Sequence, residues 1–129
     1  MDEFTGGCLC GAVRYRLTGP LPGVIVCHCS QCRRQSGHYC AYTTVPLDRF
    51  QSERDTALTW YRSSDQAQRG FCRVCGSVLF WKPTGEETIS VSAGTLDGPT
   101  GLTVAEHIFC KFKGDYYEIG DGKPQKDGW

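Results

Sequence analysis

Net charge is what this sequence most plainly lacks: fourteen lysines and arginines stand against fourteen aspartates and glutamates. Without an excess of positive charge, nothing points to nucleic acid or an anionic membrane surface as a partner. Long apolar runs are missing as well, since no segment approaches the roughly 18 residues of a membrane span. The opening stretch, MDEFTGG, has neither the positive residues nor the apolar core of a secretory leader. A soluble, cytoplasmic protein is therefore expected. Helix signals are scarce, and internal repeats and low-complexity tracts are absent. A chain of 129 residues, 40% of them hydrophobic, suits one domain, here expected over residues 1–129 with a polar tail over 119–129.

Turn-forming residues are plentiful, with 16 glycines and six prolines, which implies short elements joined by tight turns and favours β structure. From Ala12 to Leu17 the apolar residues Val13, Tyr15 and Leu17 alternate with Arg14 and Arg16, the period-two pattern of a half-buried strand. Further strands are expected at Gly23–Cys27, Tyr39–Val45, Ala57–Tyr61, Gln68–Cys72, Val78–Trp81, Thr88–Ala93 and Val104–Phe109. One helical turn fits Ser30 to Gln35, with Ser30 as its cap and Gly37 as its end. The fold class predicted is mainly β, with very little helix.

Nine cysteines decide the chemistry. In a reducing cytosol lasting disulfides are rare and an odd number cannot pair fully, so closely spaced thiols point to metal ligands or catalysts. A secreted disulfide scaffold is the rival explanation.

Two constellations stand out. The first joins Cys8-x-Cys10 to Cys72-x-x-Cys75-Gly76. In a strand, residues two apart face the same side, so Cys8 and Cys10 can offer both sulfurs to one ion. The second pair reads as a tight turn whose N–H groups face the thiolates. Four sulfurs at about 2.3 Å complete a zinc shell and leave no vacancy, the mark of a structural metal. Alternatively, Cys72 and Cys75 form a redox pair while Cys8 and Cys10 fill the core, although the βαβ setting usual for such pairs is missing.

The second constellation is CHCSQC, with Cys27, Cys29 and Cys32. Three sulfurs without a fourth nearby match the ligand count of a catalytic zinc, which keeps one corner for water or substrate. A thiolate-bound zinc suits an incoming thiol, because coordination deprotonates a group that is mostly protonated at neutral pH. Cys40, Cys110, His28 or His38 could instead close this site. His28, lying between two ligands, is expected to face away from them, and Cys40 and Cys110 to pack as small apolar residues. Arg33 and Arg34 suit the balancing of thiolate charge or the clamping of a substrate carboxylate, and equally an ordinary solvated pair. Ser36, His38, Thr95, Asp97 and His107 are read either as pocket residues or as turn and packing residues.

The stretches GGCLCGAVRY (6–15), CHCSQCRRQSG (27–37), FCRVCGSVLFW (71–81), VSAGTLD (91–97) and HIF (107–109) together resemble the glutathione-dependent formaldehyde-activating enzyme family, also called the centromere-protein-V-like family. The resemblance runs in order from Gly6 to about Gln125. It implies a zinc-containing "β-tent" of small antiparallel sheets, with structural zinc on Cys8, Cys10, Cys72 and Cys75 and catalytic zinc on Cys27, Cys29 and Cys32, the second partly occupied. It further implies a carbon–sulfur lyase that adds a small thiol such as glutathione to formaldehyde or a related aldehyde, giving S-hydroxymethylglutathione, or reverses that addition. A non-catalytic zinc- or thiol-binding module, or a protein-interaction domain, is the alternative.

Overall fold

The alternation of Tyr15 and Leu17 with arginines is realised as a central strand. The computed structural model describes residues 2–129, which divide into two units, 2–22 with 43–101 and Gly23–Tyr42 with Leu102–Trp129. In the first, β1 (Glu3–Gly7), β2 (Arg14–Thr18) and β5 (Phe50–Arg54) form an antiparallel sheet with β2 in the middle. Tyr15 and Leu17 are buried on one face of β2. On the other, Arg16 Nε reaches Glu3 of β1 at 3.2 Å and Glu53 of β5 at 3.0 Å. Strand pairing is thus backed by opposite charges on neighbouring strands, each worth a few tenths of a kcal/mol to about 1 kcal/mol.

The rest of this unit is a ribbon in the order β4-β9-β8-β7-β6, built from β4 (Cys40–Pro46), β6 (Leu58–Arg62), β7 (Ala67–Cys72), β8 (Val78–Pro83) and β9 (Thr88–Ser92). Only Thr43–Pro46 of β4 belong to the first unit. Gly70 sits on β7 between Trp60 and Phe80 of the adjacent strands. A Cβ there would lie 3.0 Å from Phe80 and 3.1 Å from Trp60, so the missing side chain lets those rings stack at 6.0 Å across the strand between them. Phe80 also meets Tyr15 and Phe50 edge-on, at 5.3 and 5.2 Å, which gives the unit its aromatic core.

In the second unit β3 (Val24–Cys27) lies between the start of β4 and β10 (Val104–Ile108). It runs antiparallel to β4 but parallel to β10. Parallel neighbours need a long connection, and the whole segment between β4 and β10 supplies it. The sole α-helix among the described residues, α1 (Ser30–Ser36), links β3 to β4. The polar tail is largely exposed, yet its backbone is bonded to β10 and the residues after it. His107 N–H donates to Pro124 O, Lys126 N–H to His107 O and Phe109 N–H to Gly128 O, each at 2.9 Å.

The architecture is mainly β, with small sheets and one helix, as the sequence predicts. All eight expected strands form within a residue or two of their expected bounds, and the structure adds β1 and β5.

Candidate metal centres

Cys8 and Cys10 do not lie on a strand as the spacing suggested. β1 ends at Gly7, and the chain curls through a turn in which Cys8 N–H donates to Val13 O at 3.1 Å and Gly11 N–H to Cys8 O at 3.2 Å. The glycines before Cys8 permit the turn: a Cβ on Gly6 would sit 2.6 Å from Thr95 O, and one on Gly7 would collide with Val13 O. Val13 N–H then points at Cys8 Sγ, 3.2 Å away. The second knuckle follows β7. Cys72 is fully buried at its end, Cys75 N–H faces Cys72 Sγ at 3.5 Å, and Gly76 closes the turn at φ 80°, a left-handed value that favours glycine. Ser77 Oγ ties the knuckles together, accepting from Leu9 N–H at 3.0 Å and lying 3.2 Å from Cys75 Sγ.

These turns gather the sulfurs of Cys8, Cys10, Cys72 and Cys75 within 4.8 Å of one another. Cys8 and Cys10 are 3.6 Å apart and Cys10 and Cys72 3.8 Å. A tetrahedron with metal–sulfur arms of 2.3 Å has edges of about 3.8 Å, whereas a disulfide needs about 2.05 Å. All nine cysteines are free thiols. The set also divides its protons. Burial alone would raise Cys8, but Val13 N–H and the thiols of Cys10 and Cys72 outweigh it and lower it. Ser77 brings Cys75 down to about 5. Ala12 N–H pulls Cys10 down, yet burial and the other three thiols push it up to about 11. Some sulfurs are ready anions while others hold protons between them, and a cation suits the place of those protons.

The second set is likewise not carried by a single strand. β3 stops at Cys27, and Cys29 is the N-cap of α1, taking the position expected of Ser30. Its extended backbone, φ −65° and ψ 161°, turns the sulfur into the first turn, where it accepts Cys32 N–H at 3.3 Å. Hydrogen bonds from the thiols of Cys27 and Cys32, and then from the N–H groups of Cys32 and Gln31, lower Cys29. In return Cys27 and Cys32 are raised, each first by its thiol neighbour in the set. Gly37 ends the helix in the left-handed region at φ 84°, as expected.

Sulfurs of Cys27, Cys29 and Cys32 lie within 4.8 Å of one another, and no fourth ligand joins them among the described residues. Cys40 is buried and donates its S–H to Cys32 O at 3.4 Å. Cys110 stands in a short 3-10 turn, Cys110–Phe112. His38 Nδ1 is 2.6 Å from Tyr116 Oη.

His28 turns away from the sulfurs and is 1% exposed. Its Nδ1 meets Tyr117 Oη at 2.5 Å, its Nε2 meets His107 Nδ1 at 2.9 Å, and His107 Nε2 meets Asp121 Oδ2 at 2.8 Å. Burial, followed by the neighbouring His107, pushes His28 down to about 4, so it is a neutral imidazole at pH 7. Lys123 N–H and then His107 hold the Asp121 carboxyl low. Sequence reasoning singled out both histidines but missed Tyr117 and Asp121, whose only signal was that two buried imidazoles need partners.

Of the other candidates, Ser36 Oγ donates towards Cys32 O and Tyr39 O at 3.0 and 2.9 Å. Thr95 pairs with Tyr15 Oη at 2.7 Å, and Asp97 is held by Arg14 and Thr5 at 2.6 Å each. Arg33 Nε is sealed from solvent without a hydrogen-bond partner among the described residues.

Compared with known proteins, residues 3–112 match the family pattern described as glutathione-dependent formaldehyde-activating enzyme. An uncharacterised lyase of Schizosaccharomyces pombe is 27% identical over 123 residues, covering 94% of this chain and 88% of its own. A Halomonas elongata protein provisionally named a glutathione-dependent formaldehyde-activating enzyme is 28% identical, covering 88% of this chain and 79% of its own. A crystal structure of a Rhodobacter sphaeroides protein superposes with a TM-score of 0.62 at 28% identity, over 75% of this chain and 91% of that one.

Proposed function

Because the chain belongs to the glutathione-dependent formaldehyde-activating enzyme family, we propose that it is a zinc-dependent carbon–sulfur lyase that joins a small thiol such as glutathione to formaldehyde or a related aldehyde, or releases it. The observation that carries this reading is the division of seven sulfurs into a set of four and a set of three. Cys8, Cys10, Cys72 and Cys75 would hold a structural zinc, since four thiolates fill its shell. Cys27, Cys29 and Cys32 would hold the second, catalytic zinc, with partial occupancy. Bound there, that metal supplies a soft Lewis acid that favours a thiol in its thiolate form.

The chain's own residues do the rest. Cys29 is kept anionic first by its thiol neighbours Cys27 and Cys32 and then by the helix N–H groups, so ligand binding needs little reorganisation. His28, neutral and turned away, leaves the three-sulfur face unblocked. Arg33, next to Cys32 on α1, would offer the end of its guanidinium to an anionic group of the thiol, such as a carboxylate. In the addition a carbon–sulfur bond forms, the carbonyl π bond breaks, and the proton given up by the thiol ends on the new hydroxyl. The reverse step cleaves the carbon–sulfur bond and returns that proton to sulfur. Formaldehyde is a ready electrophile, so positioning and thiol ionisation suffice.

The same reading places one functional domain over residues 1–129 in the cytoplasm, without nucleic-acid or membrane partners. No helix of the described residues is long and apolar enough to cross a membrane.

Exchange NMR of glutathione with formaldehyde provides the test. The protein should accelerate interconversion with S-hydroxymethylglutathione, and the Cys29→Ser variant should not. Wild-type protein that binds the thiol without accelerating exchange would be a thiol-binding module and would end the lyase reading.

A further inference from the structure

Two buried histidines, a tyrosine and an aspartate outside both sulfur sets form an unbroken hydrogen-bonded chain. An ionised carboxylate only accepts, so Asp121 Oδ2 takes the proton on His107 Nε2. With that proton on Nε2, His107 accepts at Nδ1 from His28 Nε2–H. His28 in turn accepts at Nδ1 from Tyr117 Oη–H. Both ring nitrogens of His28 are thereby fixed, and its backbone N–H is held by Ile108 O at 3.0 Å. His28 is also the single residue between Cys27 and Cys29, so whatever fixes it fixes the chain direction on both sides.

We propose that Tyr117, His28, His107 and Asp121 form a positioning relay that clamps the Cys27–His28–Cys29 segment from behind and sets the spacing of the three-sulfur set. This rests on the reading that these cysteines hold a metal, but not on the lyase reaction. The relay's outer members come from the segment after β10, which the metal ligands do not reach. A bond far along the chain thus tunes a site to which it gives no ligand. Groups that orient metal ligands from outside the coordination shell typically change metal affinity 10- to 100-fold when removed.

The test is metal retention by the zinc-loaded full chain under graded chelator, without thiol or aldehyde. Tyr117→Phe and Asp121→Ala should each release the metal of the three-sulfur set at roughly 10- to 100-fold lower chelator, while the metal of the four-sulfur set, which reports folding, should leave at the wild-type concentration. Tyr116→Phe, which breaks only the His38 bond, should match wild type. Nitrogen-15 NMR of the three histidines gives a second readout. Wild type should carry its ring proton on Nε2 in both His28 and His107, and Tyr117→Phe should perturb His28. Unchanged retention in both variants, equal loss from both sites, or a wild type that binds a single metal would overturn the relay. Wild type with two metals and normal relay behaviour but no acceleration of exchange would instead reject the lyase reading alone.

Discussion

The sulfurs of Cys10 and Cys72 lie 3.8 Å apart although 62 positions separate them in the chain. A cation between them would close a long loop and fasten the turn after β1 to the end of β7. Structural zinc in small domains contributes on the order of 10 kcal/mol, comparable to a domain's whole stability. Cys72→Ser should therefore yield insoluble or unfolded protein with a collapsed circular dichroism signal, whereas Cys29→Ser should stay folded and keep one metal in elemental analysis.

Gly6 faces a fixed wall. A Cβ at this position would meet Thr95 O at 2.6 Å as well as the ring of Tyr15, and a backbone carbonyl cannot swing aside as a flexible side chain does. Gly6→Ala should destabilise the metal-loaded protein by about 3 kcal/mol, read as a lower denaturant midpoint at unchanged slope.

Cys40 tests the ligand count from the other side. It is buried and spends its S–H on the Cys32 carbonyl, so Cys40→Ala should retain both metals and cost about 1 kcal/mol of stability. Loss of one metal in this variant would mean that the second site is closed by a fourth sulfur.

The pH dependence of Asp97 has a definite sign. Arg14 first, and then Thr5, hold its carboxyl below the usual carboxylate range. A lowered folded-state value means stabilisation that is complete above the ordinary pKa near 4 and fades as pH falls through the folded value. Both side chains are partly exposed, at 32% and 50%, so the pair is worth roughly 0.2–1 kcal/mol. Asp97→Asn should lose that amount at pH 7, and the gap to wild type in thermal melts should close under acid conditions.

Much of this was legible in the sequence because the decisive signals are local. Eight strands could be read from alternation and turns. β1 (EFTGG) was hidden by its glycines, and β5 (FQSER) by having a single apolar residue. Both flank β2 and owe their pairing to it. Cysteine spacing identified the two sulfur sets but not how they form. Strand alternation seemed the reason that residues two apart share a side, yet turns bring Cys8 to Cys10, and a strand end meeting a helix cap brings Cys27 to Cys29. Tyr117 and Asp121 were out of reach, since nothing local marks a residue whose partner lies 89 or 14 positions away.

The helix α1 begins on a sulfur. A side chain that both caps a helix and offers itself as a ligand makes secondary structure and site occupancy two views of one equilibrium. Whatever draws electron density from Cys29 Sγ loosens its hold on the Cys32 amide, so the exchange rate of that single proton with solvent is a built-in gauge of what the cysteines carry.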